Sequence, residues 1–120
     1  MKTLIVDDNE DVCETLKTFI ELKFGFPIYV ANTFKAGLEK FELLTPELAF
    51  LDVHLPDGTG LELLHKLAPK SPLTSFIMIT AYKDAEAILA AFRDGAVDCL
   101  LKPFNFEYLA SLIVRLSHGA

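Results

Sequence analysis

The stretch Leu48-Ala49-Phe50-Leu51-Asp52 is an apolar run that ends abruptly at a carboxylate. Its apolar residues do not alternate with polar ones, which is typical of a strand that is covered on both faces of a sheet. Four further short runs share this composition, at residues 4–6, 28–30, 76–79 and 99–101. The sequence therefore predicts five buried strands.

Helical periodicity fills the segments between these runs, because apolar residues return there every three or four positions. The repeating positions are Val12, Leu16, Phe19 and Ile20; Phe34, Leu38 and Phe41; Leu61, Leu64 and Leu67; Ala85, Ile88, Leu89 and Phe92; and Leu109, Leu112, Ile113 and Leu116. Gly25 and Gly95 are expected to follow helix ends, and Asn105 is expected to cap the last helix. Five strands alternating with five helices predict a doubly wound α/β domain over residues 1–120, with a parallel sheet in the flavodoxin-like order 2-1-3-4-5.

Length, charge and composition argue against several classes of protein, namely nucleic-acid-binding, membrane-spanning and secreted proteins. The 120 residues suffice for one domain, and the net charge of −6 argues against direct contact with nucleic acid. No apolar window approaches the roughly 18 residues of a membrane span, and the segment before Asp7 is too short for a secretion signal. We therefore expect a cytoplasmic protein, in which Cys13 and Cys99 pack as small apolar residues.

Polar side chains follow four of the five predicted strands. Asp7 and Asp8 come after the first strand, Asp52 after the third, Thr80 after the fourth and Lys102 after the fifth. Strands one and three are neighbours in the predicted order, so three carboxylates should share one crevice. Like charges about 4 Å apart repel by about 4 kcal/mol at an effective dielectric near 20, which favours a bound cation. Oxygen ligands of this kind suit Mg²⁺, and a hydroxyl and an ammonium suit a phosphoryl group.

A simpler interpretation of Asp7 and Asp8 is that they cap the first helix, where an acidic side chain is favourable. Capping does not account for Asp52, which ends a predicted buried strand.

The segments that carry these side chains resemble the motifs of response-regulator receiver domains of two-component signalling. They are Val6-Asp7-Asp8-Asn9-Glu10, the sequence LDVHLPDGTG at residues 51–60, Ile79-Thr80-Ala81-Tyr82 and Leu101-Lys102-Pro103-Phe104. These segments occur in the family's order and at its usual spacing, along essentially the whole chain. The part from residue 80 to 98 is most similar to receivers of the nitrogen-regulation class, which act with sigma-54 transcription.

The resemblance implies a phosphoryl-transfer site. It makes Asp52 the acceptor of a phosphoryl group from a sensor histidine kinase, and the resulting change of conformation controls a downstream output such as transcription. It implies that Thr80 binds a phosphoryl oxygen and that Lys102 pairs with the phosphoryl group. It also implies a cis peptide bond before Pro103. The domain is then a signalling module that catalyses only its own phosphorylation and dephosphorylation.

The resemblance further implies a Mg²⁺ site beside Asp52. Asp8 is the expected direct ligand, and Asp7 is expected to act mostly through water. Asp52 itself and the backbone carbonyl of His54 complete the expected protein ligands. The side chain of His54, with Tyr82, is expected at the mouth of the crevice, where both would slow hydrolysis of the phosphorylated state.

The sequence departs from the family pattern at Cys99, where a tyrosine or phenylalanine is usual three residues before the lysine. That aromatic residue normally moves inward on activation, and Tyr82 is expected to take over part of this role. The fourth helix, fifth strand and fifth helix are expected to form the output face and a possible homodimer interface. Ala87, Ala90 and Ala91 lie on that fourth helix, beside Ile88 and Phe92, which are expected to face the core.

Three alternative functions agree with parts of the sequence and conflict with others. Asp57-Gly58-Thr59 is similar to part of the nucleophile loop of haloacid-dehalogenase-type phosphatases, but Leu55 stands where that loop needs a second aspartate. An FMN carrier on the same fold would have to bind a phosphate beside Asp7 and Asp8, which would repel it. A degenerate receiver that only mediates contacts would lack some of the key side chains, all of which this sequence retains.

Overall fold

The computed structural model describes residues 1–81 and 85–118, and places five parallel strands in one sheet. The strands are β1 (Thr3–Val6), β2 (Ile28–Ala31), β3 (Leu48–Asp52), β4 (Ser75–Thr80) and β5 (Ala96–Leu101). Their order across the sheet is β2-β1-β3-β4-β5, and every neighbouring pair is parallel. The predicted order 2-1-3-4-5 is therefore confirmed.

In the described residues four helices connect the strands and a fifth follows β5, as predicted. They are α1 (Glu10–Phe24), α2 (Phe34–Leu44), α3 (Gly60–Leu67), α4 (Ala85–Arg93) and α5 (Phe106–Ser117), and a short 3₁₀ turn (Ala68–Lys70) follows α3. Two expected boundaries are confirmed: Gly25 ends α1 with a left-handed φ of 70°, and the Asn105 side chain caps α5 by accepting from the Tyr108 N–H. None of the helices in the described residues combines the length and apolar composition that a membrane crossing requires.

A short hairpin between β3 and α3 was not predicted from the sequence. It spans residues 54–59 and pairs His54–Leu55 with Gly58–Thr59 in antiparallel fashion. The hairpin therefore begins two residues after the end of β3, directly beside Asp52.

The core lies on both faces of the sheet, which explains why the strands read as unbroken apolar runs. In β3, Ala49 and Leu51 belong to the cluster packed under α2 and α3, while Leu48 and Phe50 belong to the cluster under α1 and α5. Since a strand alternates its side chains between faces, burial of both faces leaves no place for polar residues within it.

The predicted orientation of α4 is wrong in one respect. Phe92 was expected to face the core, but 47% of it is exposed, and 55% of Leu89 is exposed. Ala91 is buried instead and joins the core cluster. The small Ala91 side chain therefore takes the inner position, while Leu89 and Phe92 are largely exposed and Ile88 is partly buried.

Candidate functional site

The ends of four strands meet at one edge of the sheet, where the predicted site residues come together. Asp7 directly follows β1, Asp52 and Thr80 are the last residues of β3 and β4, and Lys102 directly follows β5. Asp7, Asp8 and Asp52 each place a carboxylate oxygen within 4.8 Å of the others. Thr80 is buried beside them, and its carbonyl accepts the Lys102 backbone N–H at 2.9 Å.

Lys102 is the cation that this carboxylate cluster contacts. Its Nζ lies 2.7 Å from Asp7 Oδ2 and 3.2 Å from Asp52 Oδ2. Burial acts to lower the pKa of Lys102, but the bonds and charges of Asp7 and Asp52 outweigh it, and the pKa is raised overall. The lysine is therefore firmly protonated, yet one ammonium beside three carboxylates leaves an excess of negative charge.

Asp7 is fully buried and held from several sides. Its Oδ1 accepts the Asn9 N–H at 2.9 Å, and its carbonyl accepts from the Asn32 amide at 2.8 Å and the Cys13 thiol at 3.3 Å. Asp7 Oδ2 forms the ion pair with Lys102 at 2.7 Å. Apart from this ion pair, the buried oxygen has no further hydrogen-bond partner among residues 1–81 and 85–118.

The cap of α1 is Asn9, and neither Asp7 nor Asp8 takes that role. The Asn9 side chain accepts the N–H groups of Asp11 and Val12, which are two donors of the first turn of the helix. The carboxylates of Asp7 and Asp8 instead belong to the cluster with Asp52.

Asp52 is buried, with 5% of its surface exposed, and its Oδ1 accepts the His54 backbone N–H at 3.1 Å. Burial raises the pKa of this carboxyl to about 6, and the hydrogen bond and charge of Asp7 add to the rise. The His54 N–H and the Lys102 charge act in the opposite direction without cancelling it. An ionised Asp52 is therefore costly here unless further positive charge is present.

The cluster fits a small divalent cation on three counts. It offers carboxylate oxygens alone, which are the ligands of Mg²⁺. It contains a buried oxygen, Asp7 Oδ2, that forms an ion pair with Lys102 and has no other hydrogen-bond partner in the described part of the chain, and a carboxyl, that of Asp52, whose pKa is raised by burial and by the neighbouring Asp7. Further positive charge would favour the ionised form of Asp52.

Gly60 packs against the backbone of Asp52, a role that was not predicted from the sequence. A Cβ atom on Gly60 would lie 2.1 Å from the backbone oxygen of Asp52, so no other residue fits without movement of the backbone. The Gly60 N–H also donates to the Val53 carbonyl at 2.9 Å. The glycine-rich composition of residues 58–60 was the available signal, but it indicated only a turn.

Three other expected features have mixed outcomes. The peptide bond between Lys102 and Pro103 is cis, as the resemblance implied. Cys13 is buried as expected, while Cys99 in β5 is only partly buried. Tyr82 lies outside the described residues.

Comparison with known proteins gives consistent matches. The family model for the response regulator receiver domain matches residues 3–114. The regulatory protein AtoC of Escherichia coli is 32% identical over 114 residues, which cover 95% of this chain and 24% of AtoC. The DNA-binding transcriptional regulator NtrC of Escherichia coli is 30% identical over 118 residues, again 95% of this chain and 24% of the relative. The chain thus spans about a quarter of the length of these two relatives, and the likeness to NtrC agrees with the expected nitrogen-regulation class.

Solved structures agree with this result. A two-component response regulator from Clostridium difficile superposes with a TM-score of 0.92 at 30% identity, covering 98% of this chain and 96% of that one. A response regulator from Burkholderia pseudomallei, solved with a phosphorylated aspartic acid, a calcium ion and citrate, gives a TM-score of 0.84 at 28% identity. That match covers 92% of this chain and 64% of the other.

Proposed function

The chain belongs to the response regulator receiver domain family, and on this premise we propose that Asp52 accepts a phosphoryl group from a sensor histidine kinase in a Mg²⁺-dependent reaction. The observation that carries the proposal is the buried Asp52 carboxylate, which lies between two further carboxylates and the Lys102 ammonium at the sheet edge. The phosphorylated domain then changes conformation and controls an output, which we take to be transcription in the cytoplasm. The solved relative with a phosphorylated aspartic acid supports this chemistry.

In the proposed transfer, an Asp52 oxygen attacks phosphorus as the bond from phosphorus to the donor's histidine nitrogen breaks. The products are an acyl phosphate on Asp52 and a free imidazole on the kinase, so this domain needs no general base. Lys102 is 3.2 Å from Asp52, and we propose that it pairs with the phosphoryl oxygens and that the hydroxyl of the buried Thr80 donates to one of them. Such reactions depend mainly on positioning and charge neutralisation. Attack by water on the acyl phosphate later resets the domain.

A bound Mg²⁺ would cancel negative charge on the transferring oxygens. We propose that Asp8 and Asp52 bind it directly, with the backbone carbonyl of His54, and that Asp7 acts mostly through water. The three carboxylates within 4.8 Å of one another and the raised pKa of Asp52 support a cation at this place.

The phosphatase alternative finds no support in the contacts of the Asp57-Gly58-Thr59 triplet. Both Asp57 carboxylate oxygens accept backbone N–H groups of α2, so this residue is occupied in a structural contact. A steady multiple turnover of a generic phosphate ester would still favour an enzyme over a receiver.

We further propose that the face formed by α4, β5 and α5 is the output surface and supports self-association on phosphorylation. Large apolar side chains are exposed along it, namely Leu89, Phe92, Val97, Leu101 and Tyr108. Apolar groups that cluster on a surface in this way are typical of protein interfaces.

Activation with beryllofluoride is expected to increase the sedimentation coefficient of the wild type, and Phe92→Asp is expected to suppress that increase. The charge would be buried without a partner in the associated state. Leu73→Asp is the matched control, because Leu73 is exposed on the connection between α3 and β4 and belongs to none of the three elements of this face. A wild type that stays monomeric at high concentration with beryllofluoride would count against the interface.

Truncation of His54 and of Tyr82 is expected to speed the decay of phosphorylated protein. His54 is exposed two residues after Asp52, and Tyr82 follows Thr80 by two residues in the sequence. Water must attack the acyl phosphate from the open side, and a tenfold change in rate needs only about 1.4 kcal/mol. Decay rates of His54→Ala, Tyr82→Ala and the double variant test this expectation, and a double variant that decays like the wild type would contradict it.

A further inference from the structure

Asp57 joins the hairpin beside the phosphoryl acceptor to the start of α2. It lies in the turn of the hairpin, and its Oδ1 accepts the Phe34 N–H at 2.6 Å. Its Oδ2 accepts the Lys35 N–H at 3.0 Å. A single carboxylate thus binds two consecutive backbone groups that lie more than twenty residues earlier in the chain.

These two bonds complete the cap of α2. The Thr33 hydroxyl accepts the Ala36 N–H at 3.0 Å, and the Gly37 N–H donates to the Thr33 carbonyl at 2.9 Å. The N–H groups of Phe34 and Lys35 are the other donors of the first turn, and both bind Asp57. Such donors stabilise a carboxylate, and they lower the pKa of Asp57.

The hairpin is pressed against α2 beside this contact. A Cβ atom on Gly58 would lie 2.8 Å from Cδ2 of the Phe34 ring, so the hairpin backbone lies directly on that ring. The hairpin turn is therefore attached to α2 by two charge-assisted hydrogen bonds and by close packing.

The residues at the base of the hairpin contact Asp52 directly. The His54 N–H donates to Asp52 Oδ1, and His54 pairs across the hairpin with Thr59. The next residue, Gly60, packs against the Asp52 carbonyl. Displacement of the hairpin would therefore move the His54 N–H, which donates to the Asp52 carboxylate, and the backbone that follows Asp52.

We propose that Asp57 is a positioning residue for the phosphoryl-acceptor site, because it anchors the hairpin to α2 and so holds the His54 backbone against Asp52. The inference rests on the proposed function, in which the His54 carbonyl also binds the cation. Asp57 is exposed and does not itself touch the carboxylate cluster. Its proposed effect on the acceptor site depends on the position of residues 54–59. That effect can therefore be measured separately from the effect of Asp57 on the stability of α2.

The test compares Asp57→Ala and Asp57→Asn with Thr33→Ala. All three variants remove or weaken a cap of α2, so all are expected to lower the Tm, but only the Asp57 variants release the hairpin. The readout is the Mg²⁺ binding midpoint, followed by NMR through the backbone amides of residues 52–60 without any phosphodonor. We expect Asp57→Ala to weaken Mg²⁺ binding about tenfold, as loss of a supporting contact to a metal ligand commonly does.

Asp57→Asn keeps one acceptor oxygen, so its Mg²⁺ midpoint is expected between those of Asp57→Ala and the wild type. Thr33→Ala is expected to bind Mg²⁺ like the wild type. Equal midpoints for both Asp57 variants, Thr33→Ala and the wild type would reduce Asp57 to a helix cap and overturn the inference. A wild type without any Mg²⁺ response would defeat the proposed function itself, so the two failures are distinguishable.

Discussion

Asp52→Ala is expected to abolish phosphoryl labelling of this protein by acetyl phosphate. Asp52 combines burial at the end of β3 with direct contact to Lys102, and in the proposed function its carboxylate receives the phosphoryl group beside the proposed cation site. Asp7 is fully buried and fixed by Asn9, while Asp8 is exposed to solvent. Intact-mass measurement should find one adduct on the wild type in the presence of Mg²⁺ and none in EDTA.

Asp11→Ala is a suitable control for that experiment. Asp11 is an exposed acid in the first turn of α1 and lies outside the carboxylate cluster. This variant should be labelled to the same yield as the wild type. An adduct of equal yield on Asp52→Ala protein would show that the acceptor has been assigned to the wrong residue.

Asp52→Asn is expected to raise the Tm of the protein in EDTA at neutral pH. Raising a pKa from 3.8 to about 6 corresponds to roughly 3 kcal/mol of preference for the protonated form in the fold. The neutral amide removes this cost, and Lys102 keeps Asp7 as a partner at 2.7 Å. Several degrees of increase are expected for a domain of this size.

The pH dependence follows from the same raised pKa. Because the folded pKa of Asp52 lies above its unfolded value, its contribution to stability is full below about pH 4 and is lost as pH rises through about 6. The Tm difference between Asp52→Asn and the wild type in EDTA should therefore be small near pH 4 and large at pH 7.

Millimolar Mg²⁺ should reduce the Tm difference between Asp52→Asn and the wild type at neutral pH, because it stabilises the wild type. A cation that binds the folded state alone adds about 2.7 kcal/mol at a concentration of 100 times its Kd. Asp8→Asn is a useful comparison, because Asp8 is exposed and its neutralisation should raise the Tm less in EDTA. A wild-type Tm that does not respond to Mg²⁺ would remove the argument for a metal site.

The fold follows from local pattern to a large extent. Each predicted strand core, such as residues 76–79, lies within an observed strand, because burial on both faces leaves a short run without polar residues. Gly25 and Asn105 mark helix ends through backbone conformation and side-chain capping, which are properties of single residues. The convergence of Asp7, Asp8 and Asp52 then follows from strand order, since parallel strands end at a common edge.

The sequence by itself determined the strands and the carboxylates that follow them, because periodicity and burial act along the chain, while the strand order was predicted from the usual arrangement of such a domain. Only the tertiary structure decided which face of α4 is buried, since Ala91 and Phe92 are both apolar and differ in how closely they let the helix approach. It also decided the role of Asp57, whose Asp-Gly turn is a local signal but whose partners are the N–H groups of Phe34 and Lys35. Contacts between residues far apart in sequence depend on how packed elements meet, so no local sequence pattern predicts them.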